Sequence, residues 1–199
     1  TATKAAASSY RWYRDVFGGT YRDLDEEARK IPVGCEGLRY HPYINGELTP
    51  YADPALCGSF IGIRSTHTKG HFNRAVLEGV SLSLLDSKRY LDSLQIPYEK
   101  TAVLIGGGGK GALWAQITAD VLGMTLVTTE SSDSSLGSAM LAGVAVGVFR
   151  DAAEAARMCV KRKRMIEPNI ENTAKYTEIF REYKQVHDAL APIYKDRSR

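Results

Sequence analysis

Residues 101–123 read TAVLIGGGGKGALWAQITADVLG, and few backbone arrangements accommodate that order. Residues 101–105 are a short apolar run with β-branched members, which predicts a buried strand. Four glycines follow at 106–109. Leu113, Ile117, Val121 and Leu122 then recur at helical spacing and predict one apolar helix face. A strand, a glycine turn and a helix in that order point to an α/β layer and to a nucleotide contact. Without Cβ atoms a ligand can lie against the backbone, and the free N–H groups of a helix start favour an anion or a polarised ring. A tight strand-to-helix turn packed on its own protein fits the same residues, and both readings stand at this point.

Two named motifs are tested by the same stretch. A Walker loop needs a lysine followed by Ser or Thr, but Lys110 is followed by Gly111 and Ala112, with no hydroxyl for a magnesium ion. The Rossmann glycine spacing fits loosely at Gly106, Gly108 and Gly111. The strand predicted over 125–129 runs into Glu130, which can fill the acidic role, so a dinucleotide-binding oxidoreductase domain remains an alternative.

Composition excludes several other classes. A net charge of +3 is too small to argue for nucleic acid. Cys35, Cys57 and Cys159 are odd in number and widely spaced, which speaks against a disulfide framework and for a reducing, cytoplasmic setting. His67 and His71 are four apart but lack a third ligand, so no metal site is expected. No apolar run is long enough to span a bilayer, and residues 1–9 lack the apolar core of a signal peptide. The chain has no initiator Met and reads as a fragment.

Along the chain, Ser8 and Ser9 are expected to cap a helix over 10–17, and a second short helix is expected over 24–30, stopped before Pro32. Residues 33–54, with three prolines and three glycines among three tyrosines, predict a structured loop with short strands. A strand is expected at 59–63 and a long, mostly buried helix over 71–94, with Arg74 and Glu78 as a structural ion pair. After the strand at 125–129, the polar run 131–135 leads into a helix over 136–148 rich in small residues. Asp151 should cap a helix to 160. The basic run KRKR at 161–164 reads as a solvated helix end. Asn172 or Thr173 should cap a final helix to about 195.

Several of these stretches in order resemble the C-terminal part of the FGGY family of carbohydrate kinases, most closely its xylulose kinases. GSFIGI at 58–63, seven residues, then HFNRAVLE at 71–78 match the family's second signature. GLRYHPYINGELTPYADP at 37–54, GGGGKGALW at 106–114 and SLGSAMLAGVAVG at 135–147 resemble further family segments, as does the spacing of Pro168, Tyr176 and Tyr183. Together they cover nearly the whole chain from about Tyr10.

The resemblance implies an α/β domain of the ribonuclease-H-like, actin- and hexokinase-type ATPase fold, C-terminal part, with a mixed sheet flanked by helices. It implies transfer of the γ-phosphoryl group of ATP to a sugar hydroxyl, with xylulose giving xylulose 5-phosphate, and with Mg2+ and ATP/ADP as cofactors. Gly106, Gly107, Gly108 and Gly109 would line the adenosine pocket beside the helix from Ala112. The opening helix near Tyr10 and Arg11 would lie by the nucleotide. The family often has a polar or small residue at the position of Ala112, and alanine cannot hydrogen-bond the base, which puts base selectivity in question. The family's N-terminal phosphate loop and catalytic aspartate are absent from the sequence, and Asp53, Asp120 and Asp133 are not at that motif. No catalytic or metal-binding residue is therefore assigned. The expectation is a C-terminal FGGY domain over 1–199, short on its N-terminal side, without the N-terminal sugar-binding domain and inactive alone. Partners would be the sugar and ATP, with no nucleic acid and no membrane; a homodimer is compatible. A non-catalytic actin-like nucleotide-binding module is an alternative, beside the dinucleotide-binding oxidoreductase domain.

Overall fold

Helix α3 (Lys69–Ser93) is the element on which the others pack. Sixteen of its 25 residues are buried, as its apolar circumference predicts. The computed structural model describes residues 3–106, 111–130 and 134–197. Around α3 lie α1 (Ala6–Phe17), α2 (Tyr21–Arg29), α4 (Ala112–Leu122) and strand β1 (Arg39–His41). β1 pairs antiparallel with β2 (Ser59–Ile61), Tyr40 opposite Phe60. Gly79 permits this packing, because a Cβ there would overlap the Tyr40 carbonyl oxygen.

The Arg74–Glu78 pair is structural, as expected, with Arg74 Nε donating to Glu78 Oε1 at 2.7 Å. Glu78 also accepts from the Gly34 N–H at 3.2 Å, the Cys35 thiol at 3.4 Å and the Tyr176 hydroxyl at 2.9 Å. A buried charge is tolerated when it is paired and its remaining lone pairs are occupied. Residues 33–54 form a 3₁₀ turn (Cys35–Gly37), then β1 and a loop.

The second layer is a three-stranded sheet in the order β3 (Thr101–Leu104), β4 (Thr125–Thr129), β5 (Arg162–Ile166). β3 and β4 are parallel and joined through α4, whereas β5 runs antiparallel to β4, so the sheet is mixed as expected. Two expectations are corrected here. The basic run at 161–164 is not a helix end: β5 takes up most of it, and pairing with β4 outweighs its local charge pattern. β3 is not fully buried: Val103 is 60% exposed, and among the described residues its outer edge has no strand partner.

Helix boundaries shift for identifiable reasons. α1 begins at Ala6, so Ser8 and Ser9 are interior rather than caps, and Ser9 Oγ donates back to the Ala5 carbonyl at 2.5 Å. α2 is set by a capping box, with the Asp23 N–H donating to Thr20 Oγ1 and the Thr20 N–H to Asp23 Oδ2, both at 3.2 Å. α5 (Ser134–Ala145) packs on α6 (Ala152–Cys159), which Asp151 caps through the Glu154 N–H at 2.8 Å. α7 (Ile170–Arg197) starts earlier than expected, because Asn169 Oδ1 accepts from the Asn172 N–H at 3.1 Å.

α7 closes the domain. Its Glu182 meets Arg39 at 2.7 Å, and the Tyr183 carbonyl lies 3.0 Å from His41 Nε2. Asp120 of α4 accepts from the Asn169 N–H and Asn172 Nδ2, both at 2.8 Å. No helix among the described residues is long and apolar enough to cross a membrane.

Candidate functional site

The parallel unit β3–α4–β4 places Gly106 at the carboxyl end of β3, where α/β folds present ligands. Gly106 has φ +77°, a conformation that favours glycine, and a Cβ built on it would meet nothing within 4 Å. It therefore borders open space. Gly107, Gly108, Gly109 and Lys110 lie outside the described residues, as do Ser131, Ser132 and Asp133. Gly111 is the N-cap of α4, with extended backbone, and no side chain among the described residues caps the helix start. The first N–H groups of α4 are thus not taken up by a side-chain cap.

α1 brings Tyr10 to this end of the sheet. Its ring is buried, edge-on to Trp114 of α4 with centroids 5.7 Å apart, and it lies 5.2 Å from the ring of Tyr21. Its hydroxyl donates to Asp25 Oδ1 at 2.7 Å. Burial, with the Asp25 carboxylate beside it, pushes the Tyr10 hydroxyl far above the usual tyrosine range, so it remains a proton donor. Trp114 Nε1 is buried without a partner among the described residues. Arg11 and Ala112 are exposed, Arg11 on α1 and Ala112 at the first turn of α4.

Below Gly106 a cleft of about 610 Å³ runs between β3 and α3. Ala6 and Ala7 of α1, Val80, Leu84 and Leu91 of α3, and Trp114 line it with the whole of β3. Tyr10, Gly106 and the start of α4 are therefore brought to one end of the molecule. Asp25 and Trp114 carry no local signal of their role in the sequence; their relation to the glycine loop arises only from tertiary packing. Asp120 serves the α4–α7 junction, and Asp53 pairs with Lys195 at 3.3 Å.

The aspartates aside, groups that could hold a metal are few. Among the described residues no cluster of three or more His, Cys, Asp or Glu side chains is placed to hold an ion.

The sequence model described as the C-terminal domain of the FGGY family of carbohydrate kinases matches residues 3–146. A xylulose kinase of Lactococcus lactis subsp. lactis is 35% identical over 195 residues, 96% of this chain and 39% of its own length. The crystal structure titled ligand bound xylulose kinase from Lactobacillus acidophilus superposes with a TM-score of 0.88 at 26% identity, covering 98% of this chain and 40% of that one. A gluconate kinase from the same organism superposes with the same TM-score at 27% identity and equal coverage. The chain thus spans about two fifths of the length of these relatives. The architecture is the ribonuclease-H-like, actin- and hexokinase-type fold in its C-terminal part. These similarities leave the dinucleotide reading through Glu130 without support; that residue is exposed at the end of β4, its N–H donating to the Lys161 carbonyl.

Proposed function

The chain belongs to the FGGY family of carbohydrate kinases, and from that premise we propose that it forms the nucleotide-side wall of an enzyme that moves the γ-phosphoryl group of ATP to a sugar hydroxyl. The observation that carries this reading is Gly106, held at positive φ beside open space at the carboxyl end of β3. Gly106, Gly107, Gly108 and Gly109 let the nucleotide approach the backbone, and the helix from Ala112 offers its free N–H groups. Tyr10 and Arg11 stand on the adjoining helix, Tyr10 through its packing on Trp114.

The sugar in this reading is xylulose, converted to xylulose 5-phosphate, on the strength of the xylulose kinases among the relatives. A gluconate kinase of equal TM-score makes gluconate the second candidate. Residues 1–199 are read as a C-terminal FGGY domain short on its N-terminal side, with sugar-binding and the catalytic aspartate carried by the remainder of the enzyme. Magnesium travels with the phosphates of ATP, where it screens their charge; no described residue is assigned to it. The enzyme is cytoplasmic in this reading, in keeping with three free cysteines, and a homodimer is compatible with it.

The test is calorimetric titration of ADP with magnesium into the chain and into Gly108→Val. Binding that the bulky side chain abolishes supports a working nucleotide wall. Absence of binding to the unsubstituted chain would overturn the reading of this chain as a nucleotide wall. Sugar-dependent release of ADP by the chain alone would overturn the assignment of the catalytic base to another part of the enzyme.

A further inference from the structure

Asp25 stands where the glycine loop meets α4. Its Oδ1 is held by the Tyr10 hydroxyl at 2.7 Å. Its Oδ2 borders the last glycine: a Cβ built on Gly111 would lie only 3.4 Å from it. The carboxylate is half-buried, and among the described residues it makes no ion pair. An ionised carboxylate offers about four acceptor sites, and the Tyr10 hydroxyl occupies one of them. Tyr10 cannot easily swing away, because its ring is packed against both Trp114 and Tyr21. The result is an acceptor of fixed position, on the rim of a loop read as the nucleotide contact.

A negative charge there would repel phosphates but suits an amino group. Ala112, at the start of α4, has no polar side-chain atom with which to recognise a base. Gly111 brings no side chain to this carboxylate, and the position a Cβ would take there lies at ordinary van der Waals distance from Oδ2.

We propose that Asp25 selects the nucleotide base. Its Oδ2 accepts a hydrogen bond from the exocyclic 6-amino group of adenine, and it repels the 6-oxo group of hypoxanthine or guanine. Tyr10 is the positioning residue that aims the carboxylate. The inference rests on the nucleotide reading given above and adds base specificity to it.

The test compares ADP with IDP, each with magnesium, by calorimetry on the unsubstituted chain, Asp25→Asn, Asp25→Ala and Tyr10→Phe. The two nucleotides differ at the 6-position, with the accompanying N1 proton. The unsubstituted chain should prefer ADP by about tenfold or more, the worth of one hydrogen bond to a charged group. Asp25→Ala should bring the two affinities to within about threefold by weakening ADP, since that bond is gone. Asp25→Asn, which can turn an amide donor toward the 6-oxo group, should shift preference toward IDP. Tyr10→Phe should narrow the preference without removing it. Equal binding of both nucleotides by the unsubstituted chain would overturn the proposal. So would an equal weakening of both by Asp25→Ala, the result if the carboxylate merely braces the loop. If neither nucleotide binds the unsubstituted chain, the nucleotide reading fails and takes the inference with it; preserved ADP binding without discrimination sinks the inference alone. Thermal melts of the folded Asp25→Asn chain separate a local effect from unfolding.

Discussion

The Tyr176 hydroxyl donates to Glu78 Oε1 at 2.9 Å, joining the last helix to the central one across 98 residues of sequence. Glu78 is buried and shares its charge with Arg74, the Gly34 N–H and the Cys35 thiol. Tyr176→Phe keeps the ring packing and removes this bond together with the longer one that Arg74 Nη2 donates to the same hydroxyl at 3.4 Å. It should cost about 1.5–3 kcal/mol, the range for a hydrogen bond to a charged group. Glu78→Gln should cost more, about 3–5 kcal/mol, because Arg74 would be left buried without its counter-charge. Urea titrations of the two variants check the order; a Tyr176→Phe midpoint equal to that of the parent would remove the hydroxyl from the account.

Gly79 tests how closely α3 and β1 approach. A Cβ at this position has nowhere to go but into the Tyr40 carbonyl. Gly79→Ala should therefore destabilise by about 1–3 kcal/mol, despite the better helix propensity of alanine. An increase in stability would show that the two elements can part at little cost.

Acid should loosen the junction between α7 and the loop after β1. His41 stacks on Tyr183 with centroids 4.2 Å apart, and His187 stacks on Tyr51 at 3.9 Å. Burial pulls both imidazoles down to about 4, with Lys184 adding to the effect at His187. An unfolded histidine titrates near 6.5, so between these values the unfolded chain binds protons that the folded chain refuses. Stability should be complete above about pH 6.5, fall as pH drops toward 4, and level off below. At about 1.4 kcal/mol per pH unit, His41 alone accounts for roughly 3 kcal/mol. Denaturation midpoints measured from pH 7.5 to 4 check the slope, and His41→Asn should flatten it; these pH limits bracket the range from about 6.5 to about 4. A midpoint independent of pH across that window would contradict the burial argument.

The outer edge of β3 should make the chain self-associate. Val103 is 60% and Ile105 63% exposed beside backbone groups that no described strand pairs. Exposed apolar edges recruit further strands, and lysine is the usual protection. Val103→Lys with Ile105→Lys should shift sedimentation toward the monomer at high concentration. Unchanged sedimentation would place any association elsewhere.

Periodicity made α3 and the β3–α4–β4 unit readable, because their apolar residues recur at one spacing over enough turns to outweigh local noise. Starts and edges were less readable. Ser8 and Ser9 look like caps, but Ala5, Ala6 and Ala7 are good helix formers and the helix simply continues through the serines to Ala6. The run at 161–164 carries four positive charges and no alternation, so only its register against β4 reveals a strand. On the candidate site, the glycines and Tyr10 are proposed on family likeness. Asp25 does not, since an aspartate in the first half of a short helix looks like any solvated charge until Tyr10 and Gly111 are seen beside it.

The contacts of α7 bear on where the folding unit stops. The family match ends at residue 146. Yet Asn169 and Asn172 satisfy Asp120, Tyr176 satisfies Glu78, Glu182 satisfies Arg39 and the Tyr183 carbonyl meets His41. Every one of those receiving groups lies inside the matched span, and most are buried. A gene trimmed to the matched span would encode a polypeptide in which four buried polar groups each lose a partner and β4 is stripped of its neighbour β5. The cooperative unit thus reaches beyond the span of the family model.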